Sequence, residues 1–221
     1  MTWQLVLYDD VRAGLPPTAT ADLVGSARRP ELLDGWSDLD VHLTLAEDVA
    51  LSRLLGAAGV WALEEACSPD EQVLRIVLSD GRRVDIVVAG TGRVLVPPAS
   101  ASNAFRFCAA QAAAKLGRDD RLIGLHLVLE LCRLCLVDAM LLRDRDAGTN
   151  AHRSGSTRDA LAREVQELTG RPLDLRLRPN VVELAAGLHD RWQHELDGRY
   201  EPDWSGLLGV LKRGWAGRDP G

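Results

Sequence analysis

No apolar run in this sequence reaches the about 18 residues that a membrane-spanning helix needs. The opening stretch MTWQLVLYDDVRAG carries acids where a secretory signal carries bases, and no cleavage site follows it. A cytoplasmic protein with no membrane partner is expected. Internal repeats and low-complexity tracts are also missing. Positive charge is short: 26 Lys and Arg stand against 32 Asp and Glu, a formal net charge of −6. That balance lacks the basic face a nucleic-acid partner requires and suits a cationic small molecule better. Cysteine is scarce, with four in all. Cys67 and Cys108 stand alone, and Cys132 and Cys135 form a C-x-x-C spacing inside LELCRLCLVDAML. Such a spacing serves zinc and redox sites, but no second ligand pair accompanies it and its surroundings are apolar. These thiols read as small buried hydrophobes.

What remains is an ordinary globular composition, 46% hydrophobic and 26% charged over 221 residues, enough for one large domain or two modest ones. WQLVLYDDVR predicts a short amphipathic helix closed by AGLPP, and TADLV predicts a strand. DLDVHLTL alternates and predicts a second strand, and DVALSRLLGAAGV a helix with Gly59 near its end. In QVLRIVLSDGRRVDIVVAG two runs of strand formers flank Asp80-Gly81, a hairpin turn pair. Pro97-Pro98 interrupts the pattern, and helical periodicity follows. ASNAFRFCAAQAAAKLG and DRLIGLHLVLELCRLCLVDAMLLRDRDAG predict long helices, the second so apolar that a central position is expected. TRDALAREVQELTG, PNVVELAAGLHDRWQHEL and WSGLLGVLKRGW predict three amphipathic helices, and Trp61, Trp192, Trp204 and Trp215 fit helical patterns. The fold class expected is α+β: a mixed sheet domain over residues 1–95, then a helical bundle over residues 96–221.

Residues 23–42, LVGSARRPELLDGWSDLDVH, concentrate the chemistry. On a strand Asp38 and Asp40 point to the same side, while Leu39 and Val41 face the core. Two carboxylates so close stay ionised cheaply only when a cation neutralises them. Hard divalent cations such as Mg²⁺ take oxygen ligands, commonly one or two carboxylates plus substrate phosphates. Gly25 lets a ligand approach the backbone, and the Ser26 hydroxyl with the loop N–H groups can donate to phosphate oxygens. Asp85 interrupts the strand formers of RRVDIVV and faces away from the core if Val84 and Ile86 face into it. With its strand beside that of Asp38 and Asp40, three carboxylates converge in a manner suited to two metal ions and an in-line displacement at phosphorus. A solvated strand start for the pair and an outward charge on an edge strand for Asp85 are the plain alternatives.

Gly25-Ser26, the eleven-residue step to Ser37, then Asp38-Leu39-Asp40-Val41 and a later strand acid resemble the signature of the polymerase-beta-type nucleotidyltransferase superfamily. A small sheet domain followed by helices is similar to its antibiotic-modifying branch, the aminoglycoside and lincosamide nucleotidyltransferases. The motif resemblance spans residues 20–90. It implies that Asp38 and Asp40 bind two Mg²⁺ ions, one carrying the nucleoside triphosphate. By the same resemblance Asp85 completes the second metal site or acts as general base on an acceptor hydroxyl. Ser26, backed by Gly25, would hold the β- or γ-phosphate, with Ser37 and Arg28 also on the nucleotide. Arg28, Arg29 and Pro30 stand where smaller residues are expected. The implied reaction moves AMP from ATP to a hydroxyl of a small, cationic, aminoglycoside-like acceptor. A protein acceptor, as in AMPylating antitoxins, and a non-catalytic nucleotide binder are the competing readings. A homodimer would wall off the acceptor cleft.

In the helical half, His126, Glu130 and Arg133 share one helix face. They form either a buried network joining the two domains or a row facing the substrate, with Glu130 drawing a cationic acceptor. LLRDRDAGTNAHRSG reads as a helix end stopped at Gly148, followed by a loop. Arg143, Arg145, His152 and Arg153 there either embrace the triphosphate or are simply solvated. Trp36 either packs or stacks on a base or sugar.

Overall fold

The computed structural model describes residues 2–56, 59–149 and 155–216. It is a mixed α/β chain with a five-stranded sheet and seven α-helices among the described residues. Two compact units divide it, Met1–Phe107 with Ser205–Gly221, and Cys108–Trp204.

In the first unit, α1 (Trp3–Gly14) leads into β1 (Thr20–Val24) and β2 (Leu39–Leu45). A two-residue β3 (Val49–Ala50) precedes α2 (Leu51–Leu55), then come β4 (Val60–Cys67), β5 (Glu71–Leu78), β6 (Arg83–Gly90) and a short β7 (Val94–Leu95). The main sheet runs β1-β2-β6-β5-β4, with β2 and β6 parallel and the other pairs antiparallel. β3 and β7 form a separate parallel pair.

Alternation decides which side of the sheet is the core. Leu39, Val41, Leu43 and Leu45 of β2, Val84, Ile86 and Val88 of β6, and Leu74, Ile76 and Leu78 of β5 point to one face. There they meet Leu7 and Val11 of α1 and Leu51 and Leu54 of α2. The intervening residues Asp40, His42, Asp85, Val87 and Arg75 lie on the opposite face, half-buried or exposed.

Several expectations need correction. α2 is one short turn and a half, because Gly56 at φ +62° ends it. Trp61 sits on β4, a strand missed because WALEEAC carries little alternation. Trp204 precedes a helix and does not belong to one. The first unit also extends past residue 95. The Asn103 side chain donates to the Leu63 carbonyl at 2.7 Å and accepts from its N–H at 2.9 Å, tying the start of α3 (Asn103–Gly117) to the edge strand.

The last helix, α7 (Ser205–Ala216), belongs with the sheet and not with the helical unit. Gly206, Gly209 and Gly214 mark its docking face. A methyl group at these positions would come within 2.4 Å of the Trp61 ring, 2.4 Å of the Asp80 backbone and 2.2 Å of the Trp36 ring. Arg213 then donates to the Asp80 carbonyl at 3.0 Å.

In the second unit, α4 (Arg121–Ala147) is capped by the Asp120 side chain and ends at Gly148 in the left-handed conformation. It packs against α5 (Leu161–Thr169) and α6 (Val181–Leu196). Asp138 and His189 are buried between α4 and α6, with His189 Nδ1 2.7 Å from Asp138 Oδ2 and Gln193 donating to Asp138 Oδ1 at 2.7 Å. Helix α4 has a wet side as well: Leu122, Leu125, Leu129, Leu136 and Leu141 are exposed, contrary to the fully central position its apolarity suggests. The thiols of Cys132 and Cys135 are free and buried, and burial pushes the Cys135 thiol far above its ordinary value. No helix among the described residues is long and apolar enough to cross a membrane.

The hairpin turn between β5 and β6 carries α7. Gly81 there has φ +82°, and a methyl group added to it would lie only 2.1 Å from the Gly209–Val210 backbone. Gly81→Ala therefore adds backbone strain and pushes α7 away, and should cost about 2–4 kcal/mol. Urea denaturation should show a lower midpoint at an unchanged slope.

Candidate active site

The parallel pairing of β2 with β6 sets Asp40 directly beside Asp85. The register follows from the core face: Leu39 pairs with Val84 and Val41 with Ile86, so the residues between them must pair on the other side. The row continues across the sheet. Asp85 is opposite Arg75 on β5, and Arg75 is opposite Glu64 on β4. Arg75 lies 3.0 Å from Glu64 Oε2 and 3.9 Å from Asp85 Oδ2. Asp38, one residue before β2, lies 3.5 Å from the Arg83 guanidinium.

These surroundings act on Asp85 in a definite direction. Burial, then the charges of Asp38 and Asp40, raise its pKa to about 6, while Arg83 and Arg75 pull it back. An ionised Asp85 thus sits among like charges on the sheet face and is costly without further positive charge.

Gly25 ends β1 and opens a 3₁₀ turn, Gly25–Arg28. Val24 pairs with Asp40, so the turn begins against that carboxylate. Gly25 has φ +62°, and a Cβ there would lie 2.0 Å from Asp40 Oδ2. The close approach leaves no room for any side chain and explains why glycine precedes Ser26. Ser26 is half-buried on this turn, whereas Arg28 is exposed.

The loop before β2 is internally braced. Ser37 is buried, its hydroxyl accepting from the Asp34 N–H at 2.9 Å and donating to Asp34 Oδ1 at 2.9 Å. Trp36 is buried, in edge contact with Trp215 at 6.3 Å, and its carbonyl accepts from Arg83. Of the two readings of Trp36, packing is the one the structure shows.

Asp38, Asp40, Asp85, Gly25 and Ser26 therefore gather at one end of the sheet. The helical candidates lie in the second unit. His126 is exposed on α4. Glu130 accepts from Arg133 at 2.8 Å, and that hydrogen bond holds its carboxyl below the usual range. This is a solvated ion pair and not a buried network. Arg143 pairs with Asp159 at 3.1 Å, and Arg145 with Asp146 at 2.9 Å. His152 and Arg153 lie outside the described residues.

Arg83, Arg75 and Glu64 were not anticipated as parts of the site. The signal was present in SDGRRVD, where Arg83 shares a strand face with Asp85 while Arg82 turns to Asp80 at 2.7 Å. It needed the strand pairing to be meaningful.

Among the described residues no three His, Cys, Asp or Glu side chains are oriented together as a metal cluster. The donor set nevertheless fits a hard divalent cation: all-oxygen ligands, two of them on paired strand positions, beside a turn pressed against Asp40.

No protein-family model matches the chain, and no curated protein matches it. Among solved structures, it aligns with one described as the polymerase core of TRAMP, an RNA surveillance complex, at a TM-score of 0.28 and 17% identity. The alignment covers 90% of this chain and 58% of that one. At that score the likeness carries no argument.

Two outcomes follow from the geometry. Gly25→Ala should displace the Asp40 carboxylate and strain the turn, at a cost of about 1–3 kcal/mol in urea denaturation. The second concerns acid stability in EDTA. The raised pKa of Asp85 means that its contribution to stability is full below about pH 4 and lost as pH rises through about 6. Asp85→Asn should remove that decline in urea melts, with the wild type as control.

Proposed function

We propose that this chain is a metal-dependent nucleotidyltransferase. It transfers AMP from ATP to a hydroxyl of a small cationic, aminoglycoside-like acceptor and releases pyrophosphate. The observation that carries the reading is the pairing of Asp40 with Asp85 across parallel strands, with Gly25 pressed against Asp40.

Asp38, Asp40 and Asp85 would hold Mg²⁺, two ions in the full reading, whose chemistry is to neutralise the triphosphate charge. Ser26 and the N–H groups of its turn would donate to phosphate oxygens, with Arg28 reaching from the turn's exposed side. Ser37 acts through the loop, since its hydroxyl is engaged with Asp34. The acceptor oxygen attacks the α-phosphorus, the bond to the bridging oxygen of the β-phosphate breaks, and pyrophosphate leaves with that electron pair. Asp85 either completes the second metal site or, left free of metal, takes the acceptor proton. Free of metal, Asp85 has a pKa of about 6, so it is ionised at neutral pH yet basic enough to accept. The open face around Asp40 and Asp85 also carries Glu64, an acid on the side a cationic acceptor would approach.

The test is pyrophosphate release from ATP and Mg²⁺ over a panel of aminoglycosides, lincosamides and other hydroxylated amines. Release should depend on one class of acceptor and fall at least about a thousandfold in Asp40→Asn. Silence across the panel with ATP binding intact would favour a protein acceptor or a non-catalytic nucleotide binder.

A further inference from the structure

Helix α4 carries apolar side chains on both of its sides. Val128, Leu131, Cys135 and Leu142 are buried within the second unit. Yet among the described residues, six of the eleven large hydrophobic side chains exposed to solvent lie on this one helix. A helix that is apolar all round belongs in a place where it is covered all round. Its wet side is also ordered. Leu122, Leu129 and Leu136 recur every seven residues and are 84%, 49% and 38% exposed. His126, Arg133 and Met140 stand between them, so the six positions follow at alternating four- and three-residue steps. That is the spacing of a coiled-coil seam, with leucine at every d position and two polar residues at a positions, where they specify register and partner.

We propose that this seam is the interface of a homodimer, in which α4 packs antiparallel against α4 of a second copy. The inference is independent of the chemistry assigned to the first unit. Charge complementarity identifies the occupant. Arg133 lies in the middle of the seam, 61% exposed, and donates to Glu130 at 2.8 Å. A wholly apolar partner would desolvate this pair and return nothing for it. A second copy brings the same pair, turned end for end. A two-fold axis level with residue 131 sets Leu122 against Met140 of the second copy, His126 against Leu136, and Leu129 against the stem of Arg133. Each of these contacts then occurs twice, as an isologous interface requires. Around the axis two Arg133 and two Glu130 side chains gather with their signs balanced. A parallel pair would instead stack Arg133 on Arg133.

Sedimentation equilibrium of the full chain tests this, with circular dichroism of every variant. Wild type should weigh twice the 24.1 kDa of one chain. Leu129→Arg should raise the dimer dissociation constant at least about thirtyfold. Its helicity should stay unchanged, since Leu129 is already half in water. Arg133→Glu and Glu130→Arg should each weaken the dimer when alone, because four like charges then gather at the axis. An equimolar mixture of the two should recover the mass of a dimer. In a Cys67→Ser background, His126→Cys and Leu136→Cys should cross-link on oxidation as a mixture and not singly. A wild type of 24.1 kDa at every concentration reached overturns the proposal. So does a Leu129→Arg dimer of wild-type affinity, a charge-swap mixture that stays monomeric, or cysteine variants that cross-link only singly.

Discussion

Two carboxylates facing each other on neighbouring strands repel, and everything around Asp40 and Asp85 in this chain manages that repulsion. Their pairing is not a choice the site makes for itself. The apolar series of β2 and β6 occupies the core face completely, so the residues between must meet on the other side. A one-residue slip of either strand would drive its own acid into the core, at a cost of several kcal/mol. Burial of the leucines and valines therefore enforces the proximity of the aspartates.

Positive charge then balances the row. Arg75 stands opposite Asp85 and is itself held by Glu64, while Arg83 sits beneath Asp38. The exposed Arg75–Glu64 pair contributes little to stability by itself. Its effect is on the neighbouring carboxylate, whose titration it moderates. The buried Arg83 differs in kind. Once desolvated, its charge needs Asp38 and the Trp36 carbonyl, and they in turn are fixed by it.

Rigidity reaches the site from a distant part of the chain. Trp36, whose carbonyl receives Arg83, packs on Gly214 and Trp215 of the terminal helix. The same helix seats Gly209 on the turn between the two strands that carry Arg75 and Arg83. The last helix thus supports both the loop before Asp38 and the hairpin behind Asp85. Preorganisation of this kind is what transfer reactions that rely on positioning and charge require.

By itself, the sequence determined the local elements whose signals lie within a few residues. These are the strands of TADLV and DLDVHLTL, the Asp80-Gly81 hairpin, the helices around α3, α4 and α6, and the candidate acids Asp38, Asp40 and Asp85. Alternation and turn chemistry are short-range, so they survive in the linear chain. Tertiary structure alone decided the parallel pairing that sets Asp40 against Asp85, because strand order depends on burial summed over the whole sheet. It also decided the return of α7 to the first unit, which rests on three glycines meeting Trp61, Asp80 and Trp36 from far along the chain. Arg83 belongs to the same class. An arginine before an aspartate is ordinary in sequence, and only the packing around Trp36 makes it a buried cation facing Asp38.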